Sequence, residues 1–112
     1  MRILSGILGA IVLIGGADAQ IAKDPPWNPD HINRLPVEIR NAVLAMCPAT
    51  PDAGHYFATY SRRDQINLHF EHFHCENAQS SFCNGTQCLH RVYKLTAGHY
   101  HLAKSFYASR ND

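Results

Sequence analysis

Two residue types in this sequence carry most of its chemical capacity: eight histidines and four cysteines in 112 residues. Six of the histidines crowd between positions 69 and 101, namely His69, His72, His74, His90, His99 and His101. Residues two apart on a strand project to the same side, so His72 with His74, and His99 with His101, are candidate pairs for one ion. Neutral imidazole suits zinc and copper as well as nickel. The opposing reading is a solvated sheet face that happens to use histidine, because Glu71 is the one carboxylate evident as an orienter. Below pH ~6.5 such histidines charge together and repel, so the face is also expected to respond to acid.

Catalysis finds little support. Neither a G-x-S-x-G nor an H-E-x-x-H motif is present. A Cys–His nucleophile is excluded if all four cysteines pair. Arg91 and Lys94 near His90 resemble a ribonuclease constellation no more than any short basic strand does. The chain is therefore read as a non-enzyme with no resident cofactor, zinc or copper on the histidine face being the exception. Its net charge of +1 sets nucleic acid and anionic membranes aside as partners.

The amino terminus indicates the compartment. Met1-Arg2 is a positive start, residues 3–14 are an apolar run, and Ala17-Asp18-Ala19 fits the small-x-small rule for cleavage after Ala19. About twelve apolar residues are too few to span a bilayer, which takes ~20. The expected organisation is a signal peptide over 1–19, an extended Pro-rich arm over 20–34, one domain over 35–107 and a frayed tail over 108–112. No integral membrane segment remains after cleavage. No cysteine follows the cut, so no lipid anchor is expected. The protein is read as periplasmic or secreted.

The elements that must position the histidines follow from hydrophobic period. Asp24-Pro25-Pro26-Trp27-Asn28-Pro29 cannot be helix or central strand; Trp27 either docks on the domain or is an anchor for a partner. Asp30 starts a short turn through Ile32. Pro36 suits the first turn of a helix, and Ile39, Ala42, Val43, Met46 and Cys47 form one apolar stripe that Pro48 and Pro51 terminate. The period then drops to two. A strand over 55–60, a turn at Ser61-Arg62-Arg63-Asp64, and a second strand over 65–75 follow. In that second strand Ile66, Leu68 and Phe70 alternate, but Phe73 and Cys75 are out of phase. A β-bulge near Glu71 or His72 would restore the phase and put His69, His72 and His74 on one face. A third strand over 89–95 turns at Thr96-Ala97-Gly98-His99 into a fourth carrying Tyr100, Leu102 and Phe106. Pairing Leu95 with Tyr100 and Tyr93 with Leu102 keeps the apolar sets together and places His90, His99 and His101 opposite them. The expected fold is α+β: one amphipathic helix on a four-stranded antiparallel sheet.

A domain this small needs staples, and export makes disulfides available. Cys83 and Cys88 bracket the turn signal Asn84-Gly85. Cys47 ends the helix and Cys75 the second strand, so their bond would tie helix to sheet. Loop entropy assigns about 3.6 kcal/mol to the longer closure and about 2.2 kcal/mol to the shorter. A zinc site at the cysteines is the competing use of C-x4-C with nearby histidines. Asn84-Gly85-Thr86 is a glycosylation acceptor only in a eukaryotic route, and the leader looks bacterial.

The stretch Phe82-Cys83-Asn84-Gly85-Thr86-Gln87-Cys88-Leu89-His90-Arg91-Val92-Tyr93, followed by Gly98-His99-Tyr100-His101-Leu102, resembles the cystine hairpin of small exported proteobacterial (rhizobial-type) proteins. Those carry F-C-x4-C, a strand, a glycine turn and a Y-x-L strand. Gln87 departs from the pattern, standing where glycine is frequent. The acidic, calcium-loop-like stretch of such proteins is reduced here to Asp64-Gln65-Ile66-Asn67, so no calcium site is carried over. The resemblance implies an exported hairpin and supplies no chemistry. The function expected is a non-catalytic envelope protein with a protein-binding or structural role; the alternative is a periplasmic Zn/Cu-binding protein that uses the histidine face.

Overall fold

The computed structural model describes residues 25–109. The expected leader, its cleavage site, the first residues of the arm and positions 110–112 of the tail lie outside them. Among the described residues the first backbone pairing is of Asn28 with Ala53, whose carbonyl accepts the Asn28 N–H at 3.0 Å. Asn28 Oδ1 also accepts the Asp30 N–H at 2.9 Å. A short helix, α1 (Asp30–Asn33), follows at once and buries Ile32. The domain therefore begins before position 35, within what the proline content marked as arm, because Ile32 is an apolar residue with a core to fill.

Helix α2 (Val37–Ala45) starts just after Pro36, whose absent N–H needs no partner there. Ile39 and Val43 are fully buried, and Cys47 emerges beyond the last turn on the same side. Pro48 cannot extend the hydrogen-bond ladder. Two antiparallel sheets follow. The small one pairs β1 (Asp52–Ala53) with β4 (Phe73–His74). The large one contains β2 (Ala58–Ser61), β3 (Gln65–His69), β5 (Cys83–Asn84), β6 (Gln87–Thr96) and β7 (His99–Ser109). Strand β6 is its centre. One edge of β6 is shared by β3 and β5, and the other is covered by β7 along its length. The class is α+β as expected, but the helices are shorter and the strands more numerous than one helix on four strands. The last strand also runs through Ser109, into the expected tail.

The largest departure lies where a bulge was expected. Phe70–His72 form one 3-10 turn that separates β3 from β4. Side chains three apart eclipse in a 3-10 helix, so Phe70 and Phe73 both enter the core without a bulge. There they pack with Phe57 and Phe82, with ring centroids 4.9–5.3 Å apart, the spacing at which aromatic pairs attract. The turn also sends Glu71 inward, where it is 6% exposed. Beyond β4, the Gln79 amide donates to the Phe73 carbonyl at 2.7 Å and accepts the Cys75 N–H at 3.0 Å, closing that edge as a strand would.

The disulfides are Cys47–Cys75 and Cys83–Cys88. The first joins the end of α2 to the chain leaving β4; the second bridges directly paired residues of β5 and β6. The cysteines therefore hold no zinc.

The β6–β7 hairpin has the expected register, with Leu95 opposite Tyr100 and Tyr93 opposite Leu102. Its turn places Ala97 at φ 53° and Gly98 at φ 82°, the double left-handed geometry that favours Asn-Gly. Ala97→Asn is expected to raise stability by about 1 kcal/mol and Gly98→Ala to lower it by a similar amount; urea unfolding of the two variants checks the opposite signs. Past the turn the register slips between Val92 and Tyr93, so that Val92 faces Lys104 and Ala103 has no partner. The bulge thus sits in the last strand, and it rotates Phe106 off the face of Leu102 and onto that of His90.

Candidate metal centre

Strand pairing places His69 of β3 directly opposite His90 of β6. Both project from the side of the sheet opposite Ile66, Leu68 and Tyr93, which face the core. Phe106 stacks on the His90 ring, with centroids 5.5 Å apart and planes at 15°. His90 is 7% exposed. The two rings meet at Nδ1, 3.2 Å apart. On its far side His69 Nε2 lies 2.8 Å from Thr59 Oγ1 of β2, and His90 Nε2 lies 4.0 Å from the wholly buried carboxylate of Glu71. One donor atom from each of His69, Glu71 and His90 lies within 4.8 Å of the others.

The proton positions follow from the ends of this chain. A neutral imidazole carries hydrogen on one nitrogen only. If His90 donated from Nδ1, its Nε2 lone pair would point at a carboxylate. The favoured arrangement has Thr59 O–H donating to His69 Nε2, His69 Nδ1–H donating to His90 Nδ1, and His90 Nε2–H directed at Glu71. At 4.0 Å that last contact is too long for a hydrogen bond, and His90 Nε2 is buried with no other hydrogen-bond partner among the described residues. Burial pushes the pKa of His69 below its ordinary value; Glu71 acts in the raising direction, and His90 and His72 lower it further. The neutral form of His69, the form that binds metal, is thereby favoured.

The wider histidine face does not assemble. The 3-10 turn takes His72 away to pack beside Tyr56, with ring centroids 6.2 Å apart. It puts His74 in the small sheet, opposite Asp52. His101 does share the face of His90, but it pairs with Lys94, four residues or about 13 Å farther along β6, too far to hold the same ion. His99 is drawn to α2, where its Nδ1–H donates to Glu38 Oε2 at 2.7 Å. Of the six histidines singled out, the fold brings His69 and His90 together and disperses the other four. Glu71 is the added member. The Phe70/Phe73 spacing could have flagged it, since i, i+3 burial implies a turn rather than a continuing strand.

The His99 contact has its own pH signature. Its hydrogen bond holds the Glu38 carboxyl below the ordinary value of 4.5. A lowered carboxyl pKa adds stability above the unfolded value, and that stability is lost as pH falls through the folded one. Wild type should therefore be more stable than Glu38→Gln at neutral pH. The gap should close below about pH 4.5, as read by denaturant midpoints across that range.

On the other side of Glu71 an open cleft of about 440 Å³ is lined by Trp27, Asp52, Glu71, Phe73 and His74 among others. The arm is docked through the Asn28 backbone, yet Trp27 stays 48% exposed at the cleft. What the geometry defines is a disulfide-stapled α+β domain with a His–His–Glu group, buried at Glu71 and His90 and partly buried at His69, on one sheet face. The chain matches no family model, no curated protein and no solved structure.

Proposed function

We propose that this chain is an exported, non-catalytic envelope domain that holds one Zn(II) or Cu(II) ion between His69 and His90. The carrying observation is the 3.2 Å separation of the two Nδ1 atoms. Tetrahedral zinc with Zn–N of 2.0–2.1 Å sets adjacent ligand nitrogens about 3.3 Å apart. An ion between them takes the place of the hydrogen on His69 Nδ1, which moves to Nε2 of the same ring. Each ring then carries its hydrogen on Nε2, where Thr59 accepts from His69 and the His90 N–H is directed at Glu71, 4.0 Å away. Closed to hydrogen-bond length, the His90–Glu71 contact is the carboxylate–histidine–metal arrangement that fixes tautomer and ligand basicity. Glu71 also offsets charge that would otherwise be buried. The remaining positions on the ion are left to water or a further ligand.

Calorimetric titration of the mature chain with zinc and copper tests this. Binding of one ion per chain is expected. Glu71→Gln and Thr59→Val should each weaken it by roughly 10-fold or more, while His72→Ala and His74→Ala should leave it unchanged. No heat of binding at neutral pH with micromolar metal would refute the reading.

A further inference from the structure

We infer that the cleft beside Trp27 is a binding site for an arginine side chain presented by a partner protein. Its wall combines one half-open indole with the Asp52 carboxylate, the wholly buried carboxylate of Glu71 lies behind it, and among the described residues no lysine or arginine lines it. A cleft of about 440 Å³ lies within the usual range for ligand sites. The backbone beside the indole is anchored: the next residue, Asn28, is bonded to Ala53 and accepts the Asp30 N–H at the start of α1. Asp52 stands in β1, immediately before that anchoring residue, so the same strand fixes the backbone on both sides of the cleft. A large aromatic left 48% exposed beside the carboxylate of half-buried Asp52 suits a cation that is also flat. Guanidinium meets both demands, stacking on indole and donating to a carboxylate through two parallel N–H groups. An ammonium group matches the charge, but it is more strongly hydrated and has no planar face. Because the Gln79 amide occupies the open edge of β4, a partner cannot add a strand there and must enter side chain first.

Trp27 is the single tryptophan of the chain, so its emission reads the cleft directly. The inference does not depend on metal binding, and measuring with a chelator present keeps the two apart. N-acetyl-arginine amide is expected to shift Trp27 emission saturably, and its uncharged isostere citrulline amide is not. Asp52→Asn should weaken the arginine response about tenfold, the equivalent of one charge-assisted hydrogen bond. His101→Ala, on the exposed hairpin away from the cleft, should leave it unchanged. Absence of a saturable change with millimolar arginine amide would overturn the proposal. So would an equal response to citrulline or lysine amide, or an Asp52→Asn variant that binds like wild type.

Discussion

His69→Ala and His90→Ala are each expected to abolish tight zinc binding, weakening it on the order of 100-fold or more. Removing even an outer-shell partner of a metal ligand typically costs 10–100-fold, and each of these substitutions removes one of two nitrogen ligands. Thermal unfolding provides a second readout. Zinc at about 100 times its dissociation constant raises wild-type stability by about 2.7 kcal/mol, because it binds the folded state alone. At the same zinc concentration that increment should fall to about 0.4 kcal/mol or less in both variants. His69→Ala is the cleaner test of fold integrity, since His69 is only partly buried while His90 lies beneath Phe106. Acid should have the same effect as mutation. Affinity should fall below about pH 6.5, where protons compete for imidazole. The low intrinsic basicity imposed on His69 by burial delays that competition relative to an exposed histidine pair.

Replacing both Cys47 and Cys75 by alanine is expected to cost about 3.6 kcal/mol, against about 2.2 kcal/mol for Cys83 with Cys88. The ordering follows from the closures, which span sequence separations of 28 and 5. The longer loop removes more freedom from the unfolded chain. It also joins two elements that no backbone ladder connects, α2 and the chain after β4. Cys83 and Cys88, in contrast, already face one another across paired strands. A domain of this size has only about 5–15 kcal/mol to lose, so the first pair should lower the denaturant midpoint markedly and the second only modestly. Equal midpoints for the two double variants would contradict this account of what the staples do.

The sequence was legible wherever a local rule acts alone. The period of 3.6 residues located α2, and the two-residue turn with its apolar alternation located the hairpin and its register. The helix-end and strand-end positions of Cys47 and Cys75 identified their bond. It was illegible where tertiary packing selects between two local solutions. A β-bulge and a 3-10 turn both repair the phase between Phe70 and Phe73, and only the aromatic cluster decides in favour of the turn. That choice dispersed His72 and His74 and buried Glu71 beside the pair that remained. The slip at Ala103 is similar in kind: no residue type near it announces a bulge, yet it brings Phe106 onto His90. Trp27 is intermediate. Its arm does dock, but through the Asn28 backbone, which leaves the indole open at the cleft.

The most direct test of the central claim is a long-range ¹H–¹⁵N spectrum of the imidazoles as one equivalent of zinc is added. The account predicts that Nδ1 of both His69 and His90 moves to a metal-bound shift while both rings hold their hydrogen on Nε2. The signals of His72, His74, His99 and His101 should stay in place. Unchanged spectra for His69 and His90, or metal shifts carried by the other four, would contradict it.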